Sequence, residues 1–242
     1  MIIALALLVS SEPAPQRYLA CAEAAIDTPE AAIGEAEAWR IAGGGMLARK
    51  CLGLAYARLG RWSPAATAFE QGAGDAERGN DPAAAVQLWI QAGNAWLAAA
   101  EGAKALSAFN RALTFGIVDG ATRGEVHLDR ARAAVLAGDG KAARADLDRA
   151  IELVPADPLA WLLSATLARR DGDLARAAKD IAEAGRRSPD DASVALEAGN
   201  IAIAGGDAAA ARAAWQRART LQPDSEAARI AARALEAIDT PG

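Results

Sequence analysis

Ala150-Ile151-Glu152-Leu153-Val154-Pro155 ends a run of helix-favouring residues, and the chain returns to the same point twice more. The later copies are Ala184-Gly185-Arg186-Arg187-Ser188-Pro189 and Ala218-Arg219-Thr220-Leu221-Gln222-Pro223. From Pro155 to Pro189 and from Pro189 to Pro223 the step is 34 residues. Proline lacks an amide hydrogen and clashes with the preceding helical turn, so each marks the end of a helix. Further back in each unit, Gly138-Asp139, Gly172-Asp173 and Gly206-Asp207 fall in phase. Glycine accepts the left-handed conformation that closes a helix, and aspartate caps the helix that follows. Each unit therefore reads as a helix, a Gly-Asp turn, a second helix and a proline-marked turn.

The side chains between these markers repeat too. Ala143, Ala177 and Ala211 align, as do Leu147, Ile181 and Trp215, and Ala150, Ala184 and Ala218. With looser spacing the pattern extends upstream through Trp89, Gly93, Trp96, Ala105, Phe109 and Ala112. Before that come Leu52-Gly53, Tyr56, Gly60, Ala65 and Phe69. Small residues sit where helices cross closely, and large ones fill the space between. A 34-residue unit with Trp, Leu-Gly, Tyr, Ala, Phe, Ala and Pro in that order resembles the tetratricopeptide repeat (TPR). The resemblance implies an all-α, right-handed superhelical solenoid of helix-turn-helix repeats. The expected units are 46–79, 86–119, 124–157, 158–191 and 192–225, with short insertions near Asn80-Asp81-Pro82 and Asp119-Gly120. The third unit is the least faithful, with Arg130-Ala131 and Ala134 where Leu-Gly and Tyr are expected. Residues 12–45 read as an N-terminal capping hairpin with helices over 16–26 and 29–41. Residues 226–242 hold a C-terminal capping helix, read from Ser225 to Ile238, and a tail. Terminal elements of this kind cover the apolar face that an end repeat would expose.

In the family it resembles, the first helix of each unit lines a concave face. The resemblance therefore maps a peptide groove onto Lys50, Leu54 and Arg58, then Ile90, Asn94 and Leu97, then Leu128 and Arg132. Leu162, Thr166, Arg169, Arg170 and Asn200 complete it. Leu47, Ala57, Val135, Leu159, Leu196 and Ile203 hold related positions. The result is an apolar floor with polar posts. Asn94 and Asn200 would hold a peptide backbone, since an amide side chain both donates and accepts. Arg132, Arg169 and Arg170 would hold a carboxylate. Some of the Leu and Ile residues could equally pack between neighbouring first helices. The specialisation that grips chaperone tails is not expected: Lys50 fits its pattern, but Leu54, Glu125 and Asp129 stand where Asn and cations are needed.

Little else in the chain suggests chemistry. The formal charge is −5 and no basic tract is present, which disfavours nucleic acid as a partner. The one histidine, His127, holds the position of Trp89 and Trp161 in other units and reads as a helix-packing residue. There is no metal-ligand spacing and no phosphate-binding loop. The carboxylates are scattered and read mostly as solvated helix faces. No cofactor is expected, and the protein is not expected to be an enzyme.

Met1–Ser11 is an apolar run followed by Glu12-Pro13-Ala14-Pro15, which resembles the end of a secretory signal, although no Lys or Arg precedes it. Otherwise the run is a short apolar helix on the body of the protein. It is far below the roughly 20 residues a membrane span requires. Cys21 and Cys51 follow the same choice, a disulfide after export or two buried thiols in the cytosol. The sequence thus points to a protein or peptide partner bound by a scaffold or adaptor, periplasmic or exported. A cytosolic adaptor, a self-associating module and a thiol-based redox protein are the alternatives.

Overall fold

The structure is a computed structural model and describes residues 14–239. The run Met1–Ser11 lies outside the described residues. Among these, thirteen α-helices and no strand are present. The chain forms two compact units that divide between Val118 and Asp119. The first unit holds α1 (Ala14–Asp27), α2 (Pro29–Ile41), α3 (Gly45–Arg58), α4 (Trp62–Arg78), α5 (Pro82–Ala98) and α6 (Gly102–Leu113). The second holds α7 (Gly120–Leu136), α8 (Gly140–Leu153), α9 (Pro158–Arg170), α10 (Leu174–Arg187), α11 (Ala192–Ala204), α12 (Ala208–Leu221) and α13 (Glu226–Asp239). Within each unit the helices pair as antiparallel hairpins that pack on their neighbours, and α13 covers α11 and α12.

The turns form as the glycines and aspartates demand. Gly138, Gly172 and Gly206 have φ of +80°, +81° and +83°. The amides of Asp139, Asp173 and Asp207 then bond back to Ala134, Ala168 and Ala202 at 2.8–2.9 Å. This is the paired closure that satisfies the last carbonyls of a helix. The same aspartates accept from the amides of Ala142, Arg176 and Ala210 at 2.9–3.0 Å, capping the next helix. The proline turns use a second device. Val154, Ser188 and Gln222 are pushed to φ of −129°, −136° and −142° before each proline, as the proline ring requires. Asp157, Asp191 and Ser225, two residues after each proline, then cap α9, α11 and α13.

Asp81 and Asp119, expected within insertions, are also caps. They accept from Ala84 and Thr122 at 3.0 and 2.7 Å. The extra residues lengthen α5 and α7 to 17 residues each, against 13 in α9 and α11. These two helices begin one turn before the unit starts expected at 86 and 124.

Inside each of the five hairpins from α3–α4 to α11–α12 a small residue meets a large one 16 positions on. Gly53, Gly93 and Gly199 lie under Phe69, Phe109 and Trp215, where an added Cβ would stand closer than 3.0 Å to the ring. In the other two hairpins Ala131 and Ala165 are paired with the aliphatic Leu147 and Ile181, all four buried. The size of one member sets what the other tolerates, because the core is close-packed. In the first unit, Cys21 of α1 and Cys51 of α3 are joined by a disulfide, with Cα atoms 6.0 Å apart and both side chains buried.

Candidate functional site

A cleft of about 230 Å³ opens in the second unit between α7, α8 and α9. Its floor is Ala131, Val135, Leu147, Leu163 and Leu167, and Arg132, Thr166 and Arg170 stand around it. Ala131 on α7 is buried and Val135 is 39% exposed. Arg132 and Arg170 are both exposed. Arg132 pairs with Asp129 one turn before it, at 2.9 Å. Burial pushes the Asp129 carboxyl above its usual range, although Arg132 opposes this. The Thr166 hydroxyl donates to the Leu162 carbonyl at 2.9 Å. The cleft therefore brings together three of the expected groove residues, Arg132, Thr166 and Arg170.

Other expected posts are engaged within the fold. Arg169 donates to Glu197 at 2.6 Å. Asn200 donates to Glu197 at 3.0 Å and accepts from the Trp215 indole at 3.1 Å. Glu197 is buried, and a buried carboxylate must be paired and hydrogen-bonded. Arg169 and Asn200 thus hold α9, α11 and α12 together, and neither is a free post for a peptide. Leu128 is buried and Leu162 packs against the Ala165–Ile181 core, so both serve packing. In the first unit, Ile90 and Leu97 are partly buried and Asn94 is exposed. The Lys50 ammonium lies 5.1 Å from the centre of the Tyr18 ring. Leu54 packs with Ala25, Ala32 and Ala55, and Arg58 donates to the Ile26 carbonyl at 3.4 Å. All three therefore face α1 or its end.

The carboxylates are not all on solvated faces. Asp146, Asp180 and Glu197 are buried. Asp146 meets Nδ1 of His127 at 2.8 Å and accepts from Nε of Arg130 at 2.9 Å. Burial alone would raise its carboxyl, but the His127 and Arg130 bonds outweigh it and hold the group below its usual range. Asp180 accepts from the buried Ser164 hydroxyl, and Arg144 donates to that hydroxyl at 2.7 Å. His127 is therefore a packing residue with a carboxylate partner. Asp146 and Asp180 are 34 positions apart, so the repeat register carried the signal for them. Nothing comparable marked Glu197, Leu163 or Leu167. Among the described residues no group of His, Cys, Asp and Glu could hold a metal ion, and no helix is long and apolar enough to cross a membrane.

Antiparallel hairpins with a small-on-large crossing and αL-Asp turns make up a helical-repeat fold of the tetratricopeptide type. Solved structures share that fold. PilW, described as a widely conserved type IV pilus biogenesis factor, superposes with a TM-score of 0.70 at 19% identity, over 94% of this chain and 98% of that one. Pseudomonas aeruginosa pilF gives 0.66 at 13% identity, over 89% and 96%. YrrB, described as a TPR protein with an unusual peptide-binding site, gives 0.59 at 19% identity, over 81% and 96%. No protein-family model matches the chain, and no curated protein matches it.

Proposed function

We propose that this protein is a non-enzymatic adaptor that binds a polypeptide in the cleft between α7, α8 and α9, and that it acts in the bacterial envelope. The observation that carries the reading is the convergence of Arg132, Thr166 and Arg170 on an apolar floor in that cleft. Pockets for small molecules run to roughly 300–1,000 Å³. At about 230 Å³ this one suits a single side chain better than a cofactor. The exposed Arg170 guanidinium and the half-exposed Arg132, which shares its charge with Asp129, stand beside an apolar hollow and fit an extended segment that presents an aliphatic residue next to a carboxylate. The TPR fold shared with a peptide-binding protein and a pilus biogenesis factor supports an interaction role. The disulfide supports an oxidising compartment, because such bonds are rare in the cytosol.

The test is capture of partners on immobilised protein, wild type against an Arg132→Ala, Arg170→Ala variant with unchanged helical content. The reading expects at least a tenfold loss of the captured polypeptide. Equal retention by both would move the site elsewhere. Fractionation of the native host tests the compartment, and a protein found wholly in the cytosol with reduced cysteines would refute export. Self-association is a second reading, favoured by Leu19, Ile26 and Ile41, which are 60–77% exposed on α1 and α2. A mass that stays monomeric in sedimentation at rising concentration would dismiss it.

A further inference from the structure

Few buried side chains hold the first hairpin to the rest of its unit. In α1 only Cys21 and Ala25 are buried, while its two largest aliphatic residues, Leu19 and Ile26, face outward. α2 adds Ala32, Ala36 and Trp39. Apart from the Trp39 indole these buried side chains are small, and Tyr18 and Ile33 pack only partly buried against the core they share with Cys51 and Leu52; the gain scales with apolar area removed from water. Lys50 over Tyr18, the long Arg58–Ile26 bond and the Leu54 contact are modest ties between α1 and α3. The Cys21–Cys51 bond is the covalent one. The hairpin also joins α3 through Gly43-Gly44-Gly45, where Gly43 and Gly45 have φ of +90° and +52°. The Gly43 and Gly44 amides bond back to the Arg40 and Trp39 carbonyls at 3.2 and 2.9 Å, so the hairpin turns here only once that closure breaks, after which glycine reorients with little steric hindrance.

We infer that the α1–α2 hairpin is a redox-controlled cover over the α3 face that carries Lys50, Leu54 and Arg58. With the disulfide intact the cover stays shut apart from brief openings around Cys21 and Cys51. Once it is reduced, the hairpin swings about Gly43–Gly45 and uncovers that face. The reductant is a dithiol. Its thiolate attacks one sulfur, the S–S bond breaks and a mixed disulfide forms, which the second thiol then displaces. Two electrons pass to the protein, each cysteine sulfur ends protonated as a thiol, and the reductant leaves as its cyclic disulfide. Cys21 and Cys51 are only 4% and 0% exposed, so attack waits for the hairpin to open. Reduction is therefore slow, and its rate reports that opening.

The experiment is amide exchange read by mass spectrometry on the full chain, with and without a dithiol, alongside acylation of Lys50. Reduction is expected to speed exchange across residues 14–41 roughly 400-fold, the loss expected for a loop closed across 30 residues. It should raise Lys50 labelling and leave residues 82–113 unchanged. A Cys21→Ser, Cys51→Ser variant should show the same pattern without reductant, and Tyr18→Ala should accelerate reduction of the otherwise intact chain. Three results would overturn the inference. One is two titratable thiols in the native, unreduced protein. Another is unchanged protection of residues 14–41 after verified reduction. The third is an even loss of protection over residues 14–113, which would make the bond a staple for the whole unit.

Discussion

Gly199 lies under the Trp215 ring, while the equivalent Ala165 shares its core with Ile181. A methyl group at 199 would force the indole aside and disturb its bond to Asn200. Gly199→Ala should therefore destabilise the second unit by about 1–3 kcal/mol, the usual range for overpacking. Adding Trp215→Ile should recover much of that loss, because it recreates the pairing at 165 and 181. Denaturant unfolding of both single variants and the double variant measures the coupling. Ala100 poses the opposite problem. Its φ is +59° in a turn that elsewhere uses Gly60, Asn80, Gly138, Gly172 or Gly206. An L-residue pays about 1–2 kcal/mol there, partly offset by the greater freedom of glycine in the unfolded chain. Ala100→Gly should stabilise the first unit by about 0.5–1 kcal/mol, and an unchanged or lower denaturation midpoint would contradict this account of the turn.

At the scale of elements, the decisive contacts lie between helices of neighbouring hairpins. Arg169 on α9 reaches Glu197 on α11, and Asn200 joins Glu197 to Trp215 on α12. Arg169→Ala would leave a buried carboxylate short of its cation. Breaking such a pair costs about 3–5 kcal/mol when both partners are buried, but Arg169 is one-quarter exposed, so about 2 kcal/mol is expected. Thermal unfolding of Arg169→Ala against Arg169→Ala, Glu197→Gln tests this, because the second change removes the stranded charge and should restore part of the loss. By contrast, Arg170→Ala should leave stability within about 0.5 kcal/mol while weakening the captured polypeptide. Asp146 makes α7 and α8 sensitive to acid. Its folded carboxyl lies below the ordinary value of 3.8, so its stabilising effect is complete above that value and fades as pH falls through the folded one. The unfolding midpoint of the second unit should drop as pH is lowered below about 4, and less so in Asp146→Asn. A parallel drop in both proteins would show that other groups govern acid unfolding.

At the scale of the molecule, the two units carry different staples. The first has a disulfide and the second has buried ion pairs around Asp146, Asp180 and Glu197. The hairpins and their turns were legible because helix stops, αL glycines and capping aspartates act over four or five residues, and a 34-residue recurrence repeats the message. Asp157 and Asp191 belong to that same local signal and could have been read beside their prolines. The candidate site was only partly legible. Arg132, Thr166 and Arg170 meet in one cleft, whereas Arg169 and Asn200, equally suitable by residue type, are taken up by Glu197. The helices, their pairing and the small-on-large crossings can be read from the residues alone, since these depend on local propensity and on spacing within one hairpin. Which polar side chains are consumed by neighbours, and the placement of α1 over Lys50, Leu54 and Arg58, emerge only from the packing of one hairpin on the next. Those outcomes depend on how closely one hairpin approaches the next, and a few ångströms of packing decide whether a side chain meets a neighbour or water.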